Sequence, residues 1–168
     1  MSDHGVDHYL NLFFEFREMT SRIFSSLKCE YIKSLGDGFM YVAPDSGAAV
    51  EAALKLMKAI DARNQNLDDA RRRFEIRIGI DYGQTTLDVH KDQKDRFGEC
   101  VIAASRLEGL SAENCDGTLK ARLPDGPRIL ISKKVRKHLN DEFSCNELGS
   151  VELKGFDVAH NVYSVQWK

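Results

Sequence analysis

Along residues 7–27 the large apolar side chains Leu10, Phe13, Phe14, Ile23, Phe24 and Leu27 recur largely at three- and four-residue spacing. That is the period of an amphipathic helix. Aromatic and β-branched residues then flank a polar tip in YIKSLGDGFMYV, residues 31–42. This pattern predicts a hairpin whose turn is supplied by Asp37 and Gly38, because both residue types tolerate positive φ. Pro44, Asp45 and Ser46 open a second helix running to about Asn64, capped by Asp45 or Ser46, with Val50, Ala53, Leu54, Met57 and Ile60 on its buried side. In FEIRIGI, Phe74, Ile76, Ile78 and Ile80 alternate with charged or small residues, as on a half-buried strand. Gly83 marks a bend, residues 84–89 read as a further strand, and KDQKD, residues 91–95, as a charged loop. A third helix carries Val101, Ala104, Leu107 and Leu110 and contains Arg106. Residues 111–127 include Gly117, Pro124, Gly126 and Pro127 and have little period, which predicts a long, partly mobile surface loop. RILIS is then a strand, Ser132 caps a short helix through Leu139, and two strand-like runs, 143–153 and 161–167, flank a turn at 154–157.

Helix, hairpin, helix and strand make up most of a ferredoxin-like βαββαβ unit, an α+β fold in which helices pack on one face of an antiparallel sheet. Such a unit begins with a central strand before the first helix. Only residues 1–6 stand there, and they are polar and glycine-containing, a poor core strand. At 168 residues the chain fits one domain with a substantial core.

Charge narrows the partners. Lysine and arginine number 24 against 26 acidic residues, so no overall field draws the chain to nucleic acid or to an anionic membrane. No basic face or aromatic ribonucleoprotein motif is visible. Cys29, Cys100, Cys115 and Cys145 stand far apart, without a CxxC pair or histidines at zinc spacing, as free thiols of a reducing compartment do. No apolar run approaches the ~20 residues of a membrane span, and the amino terminus lacks the basic and apolar regions of a signal peptide. A soluble, cytoplasmic protein is expected.

Five ordered blocks, YIKSLGDGFMYV, RIGIDYG, DRFGECVIAASRLEGL, ILIS and VELKGFDVAHNVYSV, resemble the class III adenylyl and guanylyl cyclase catalytic domain. Their spacing is roughly the family's, apart from an insertion between Leu110 and Arg128. The resemblance implies one catalytic domain over residues 1–168, amino-terminally truncated and lacking the first central strand. It also implies that two copies pair head to tail as a homodimer, with active sites at the interface. There the 3′-hydroxyl of a nucleoside triphosphate attacks its own α-phosphate, giving a 3′,5′-cyclic nucleotide and pyrophosphate. Such in-line transfer depends on positioning and electrostatics, commonly through a two-metal clamp. The family's ions are Mg2+ or Mn2+, held by two carboxylates.

By this resemblance Asp37 is one metal-holding carboxylate, where the plain alternative is a turn residue. The other lies in the family at the end of the first strand, in a block like F-x-D-x-x-G-F-T that this sequence does not contain; Asp3 and Asp7 fall too near the first helix to replace it. Lys33 and Asp95 match the pair that reads adenine, a cation facing the ring's acceptor nitrogen and a carboxylate accepting from the exocyclic amine. Guanylyl-type members carry Glu and a small Cys-like residue there, so the pair argues for ATP. Arg106 matches the arginine that stabilises charge on the α-phosphate, work suited to a planar fork that donates to two oxygens. Lys154, in LKGF, matches a lysine that reaches the β- and γ-phosphates. Where the family has a ribose-orienting asparagine, this chain has Ile102. The plain alternatives are a solvent-facing strand lysine, a loop charge, a helix-surface arginine paired with Glu99 or Glu108, and an exposed turn lysine.

Three readings stay open. One is a truncated adenylyl cyclase. A second is a catalytically silent module that binds nucleotide or dimerises, which the absent carboxylate and Ile102 favour. The third is a pyrimidine nucleotide cyclase of an antiphage system, against which Lys33 and Asp95 argue.

Overall fold

A computed structural model describes residues 3–90, 93–115 and 117–168. α1 (Asp3–Ser26) begins before the predicted start, so Asp3 and Asp7 belong to a helix and no strand forms over 3–6. Its aromatic rings lie on the hairpin β1 (Glu30–Leu35) and β2 (Gly38–Val42). Phe24 lies tilted against Tyr41 with ring centroids 4.4 Å apart, and Phe13 and Phe16 stand 5.5 and 5.4 Å from Phe39. The chain leaves α1 through Lys28 at φ 60. There the amides of Lys28 and Cys29 donate to the Ser25 and Phe24 carbonyls, closing the helix end.

The hairpin turn differs from the expectation by one residue. Leu35 pairs with Gly38, so Gly36 and Asp37 occupy the turn and the positive φ, +71, belongs to Gly36. Asp37 therefore sits at the tip without needing a left-handed backbone.

α2 (Ser46–Gln65) is capped by Asp45, whose Oδ1 accepts from the Ala48 amide at 2.8 Å. Its Val50, Ala53 and Met57 pack with Ile129 and Ile131 of β6 (Arg128–Ser132), where all five residues are buried. Leu130, pointing the other way as strand alternation requires, packs with Ala103 and Leu107 of α3 (Glu99–Glu108). The main sheet runs β3 (Arg77–Ile80), β6, β8 (His160–Val165), β7 (Cys145–Val151). β3 is parallel to β6, and the other pairs are antiparallel. The α+β class holds, with a mixed main sheet and helices on both of its faces. At β3 the backbone of α3 approaches so closely that a Cβ on Gly79 would lie 2.1 Å from the Ala104 carbonyl oxygen.

Two expected loops are ordered differently. Residues 93–95 are not loop: β4 (Thr86–His90) and β5 (Gln93–Phe97) form an antiparallel ribbon, while Lys91 and Asp92 lie outside the described residues. A two-stranded ribbon in solvent keeps charged side chains on both faces, which conceals its strand period. The segment 111–127 is not a mobile surface loop either. It holds a 3-10 turn, Ala112–Asn114, and α4 (Gly117–Arg122), and it buries Cys115 and Leu119 in the core. The buried guanidinium of Arg128 binds it down by donating to the carbonyls of Leu110, Pro124 and Gly126. Ser132 caps α5 (Lys133–Lys137) as expected.

Among the described residues β2 and β3 each keep one edge without a strand partner. Phe16 bridges the two, 5.4 Å from Phe39 on β2 and 5.5 Å from Phe74 just before β3. Neighbouring strands lie ~4.8 Å apart, so a strand laid between two others holds them at about twice that spacing.

Candidate active site

The ribbon β4–β5 crosses the outer edge of β1, and charge holds it there. Lys33, on β1, places Nζ 2.5 Å from Asp95 Oδ2 on β5. The backbone amide of Arg96 donates to the other carboxylate oxygen at 2.7 Å. Glu30, three residues before Lys33, pairs with Arg96 at 3.3 Å and Lys94 at 3.7 Å. The Lys33 hydrogen bond, and after it the Arg96 amide, hold the Asp95 carboxyl below its ordinary range. Both side chains keep part of their surface in water, 38% for Lys33 and 26% for Asp95. A ligand edge can therefore reach them.

Lys33 and Asp95 are thus brought together from positions 62 residues apart. Asp37, Arg106 and Lys154 stand on separate elements, all exposed. No hydrogen bond or ion pair among the described residues joins them to that pair. Asp37 occupies the hairpin tip. Arg106 lies in the last turn of α3, and Glu108, one of its expected partners, faces Arg77 at 4.0 Å instead. Ile102, one helical turn before Arg106, is 50% exposed. Lys154 follows β7 in a turn completed by Gly155 at φ +91. The described residues contain no group of three or more His, Cys, Asp or Glu side chains placed to hold a metal ion.

Sequence reading did not identify the Glu30, Lys94 and Arg96 contacts that seat the ribbon, nor Phe97 beside Lys33. The charged run at 91–95, expected as a loop, leaves Phe97 as the one large apolar residue of β5 to signal a strand. A cavity of about 570 Å³ opens elsewhere, beside the amino end of α2. Its wall includes Asp45, Glu51, Tyr82 and His138, and none of the predicted site residues.

Comparison with known proteins bears on the family and the fold. The sequence profile of the adenylate and guanylate cyclase catalytic domain matches residues 4–166. An adenylate cyclase of Streptomyces coelicolor is 34% identical over 83 residues, which is 49% of this chain and 19% of that protein. The chain thus matches about a fifth of that relative's length. Among solved structures, the adenylyl cyclase CyaB from P. aeruginosa superposes with a TM-score of 0.73 at 23% identity, covering 94% of this chain and 81% of that one. The guanylate cyclase domain of RhGC from Catenaria anguillulae, in complex with GTP, gives a TM-score of 0.71 at 24% identity, with 99% and 86% covered. At these identities the superpositions speak to the fold. Taken with a profile match over nearly the whole length, they establish that the chain belongs to the family of adenylate and guanylate cyclase catalytic domains.

Proposed function

We propose that the chain selects ATP and serves its cyclisation to 3′,5′-cyclic AMP and pyrophosphate. In that reaction the bond from the ribose 3′-oxygen to the α-phosphorus forms as the bond to the pyrophosphate oxygen breaks, and the 3′-hydroxyl loses its proton. The single observation that carries the reading is the Lys33–Asp95 contact, a donor beside an acceptor at 2.5 Å, both partly open to solvent. Adenine presents the complement, a ring nitrogen that accepts beside an amine that donates. Held in the same orientation, guanine presents a donating ring N–H and an accepting carbonyl at those two positions in the reverse sense, so binding it that way would leave the site's own groups unpaired. Arg106 is assigned to the charge that develops on the α-phosphate, and Lys154 to the β- and γ-phosphates. Because no hydrogen bond or ion pair among the described residues joins these residues to the Lys33–Asp95 pair, a homodimer that gathers them at its interface is part of the proposal. So is a cytoplasmic location, where ATP is available and cysteine thiols stay reduced.

The metal set does not fit the described residues. Asp37 is one carboxylate, and no cluster able to hold the family's Mg2+ or Mn2+ ions accompanies it. No step is therefore derived through an ion. The unpaired edges of β2 and β3 support the idea that a further strand, bringing a second carboxylate, completes the site. The alternative of a silent nucleotide-binding module draws on the same gap and on Ile102, an exposed apolar residue where ribose would need a hydrogen bond.

Equilibrium binding of ATP, CTP, GTP and UTP to the purified chain tests the selection, and sedimentation tests the dimer. ATP is expected to bind tightest, to a species of twice the chain mass. GTP binding as tightly as ATP would refute the base assignment, and a monomer at high protein concentration would refute the pairing.

A further inference from the structure

The Lys33–Asp95 contact leaves one selection unmade. Adenine and cytosine both present an exocyclic amine beside an accepting ring nitrogen, whereas guanine and uracil present carbonyl oxygens beside a ring N–H. A cation next to a carboxylate therefore separates the amino bases from the oxo bases and treats adenine and cytosine alike. Whatever favours the purine must read the area of the ring rather than its edge.

The residue placed to do so is Phe97. Strand alternation puts Asp95 and Phe97 on the same face of β5, where the register sets them opposite Asp88 and Thr86. The Phe97 ring is 54% exposed, and no other aromatic ring stacks on it among the described residues. Lys33 Nζ, the atom already bonded to Asp95, lies over this ring at 6.0 Å from its centroid. One ammonium thus marks both the edge-reading pair and the aromatic face beside it. The ring is therefore within reach of a base whose edge meets Lys33 and Asp95. Stacking on an aromatic side chain is sequence-tolerant, but it grows with the overlapping π-surface, which a bicyclic purine has and a pyrimidine lacks.

We propose that Phe97 is the stacking platform of the base site and the residue that sets ATP above CTP. The inference rests on the reading that Lys33 and Asp95 contact the base. Calorimetric titration of the full chain with Mg-ATP and Mg-CTP tests it, using wild type, Phe97→Ala, Phe97→Leu, Phe97→Trp and Lys33→Ala, with sedimentation and circular dichroism on each. Phe97→Ala is expected to weaken ATP by about tenfold and CTP by no more than about threefold. Phe97→Leu, which keeps apolar bulk without a π-face, should behave like Phe97→Ala, and Phe97→Trp should restore the preference. Lys33→Ala should weaken both nucleotides together.

Equal losses for ATP and CTP in Phe97→Ala, or a preserved preference in Phe97→Leu, would overturn the platform and leave the base-contact reading standing as long as Lys33→Ala still costs both ligands. A change in sedimentation with an unchanged ATP-to-CTP ratio would make Phe97 an interface residue and likewise overturn it. If Lys33→Ala changes neither affinity, or wild type binds neither nucleotide, both readings fall.

Discussion

The contact between β3 and α3 offers a sharp perturbation, Gly79→Ala. An added Cβ would stand 2.1 Å from the Ala104 carbonyl oxygen and 2.4 Å from the Glu108 amide nitrogen, both backbone atoms of α3. Ordinary contact begins near 3.4 Å, so the helix has to retreat by more than an ångström. No side chain can rotate to absorb the overlap. Overpacking of this kind costs about 1–3 kcal/mol, and retreat also loosens Ala103 and Leu107, both fully buried against the sheet. A loss of about 3 kcal/mol or more is expected, a large share of the roughly 5–15 kcal/mol that holds a typical domain together. The same shift moves Arg106 on α3, and it pulls on Asp95, which joins the helix through Gly98. Urea unfolding followed by circular dichroism measures the stability term. Gly109→Ala is the control, since its added Cβ meets only the Ser105 carbonyl oxygen at 3.5 Å and its φ is −78. That variant should stay within about 1 kcal/mol of wild type. A Gly79→Ala chain that loses less than about 1 kcal/mol, or no more than Gly109→Ala, would refute the close-packed β3–α3 contact.

Leu119→Ala, at a side chain 1% exposed, should cost about 2–5 kcal/mol in urea unfolding, whereas a truly mobile loop would lose almost nothing. The Asp95 carboxyl is depressed, so the stability it contributes is complete above the unfolded value near 3.9 and is lost only as pH falls through its lower folded value. A carbon-detected NMR titration should place Asp95 below its ordinary range, and Lys33→Met should move it upward; no movement would remove Lys33 as the main cause. With one carboxylate at the hairpin tip and no metal cluster among the described residues, the 168-residue chain should form at most traces of cyclic AMP from Mg-ATP or Mn-ATP. Robust turnover, read by chromatography of the cyclic product, would require ligands not identified among these residues.

Long periodic segments were legible in the sequence because their burial is one-sided. α2 shows its Val50, Ala53 and Met57 stripe, and β6 is buried along its whole length, so pattern and structure coincide. The segment 111–127 failed for the opposite reason. Its buried residues, Cys115 and Leu119, are few, and what ties it down is a buried arginine, Arg128, that donates to three backbone carbonyls. Backbone acceptors leave no trace in a sequence. The ribbon β4–β5 was half legible, since β4 carries Leu87 and Val89 while β5 hides its alternation under charge. Of the site, the Lys33 and Asp95 identities came from family resemblance, and their contact required the fold, because nothing local links positions 62 residues apart. The roles assigned to Asp37, Arg106 and Lys154 are drawn from that resemblance, and among the described residues no hydrogen bond or ion pair gathers them.

The central claim is that the donor and acceptor at Lys33 and Asp95 choose the base. Exchanging their roles in the double variant Lys33→Glu, Asp95→Cys tests it most directly, with ATP and GTP affinities measured by calorimetry on wild type and variant and folding checked by circular dichroism. The expected result is ATP preferred by the wild type and a preference lost or turned toward GTP in a folded variant, since matched groups left unpaired cost about 1–3 kcal/mol each. A folded variant that still prefers ATP by the wild-type margin would contradict the claim.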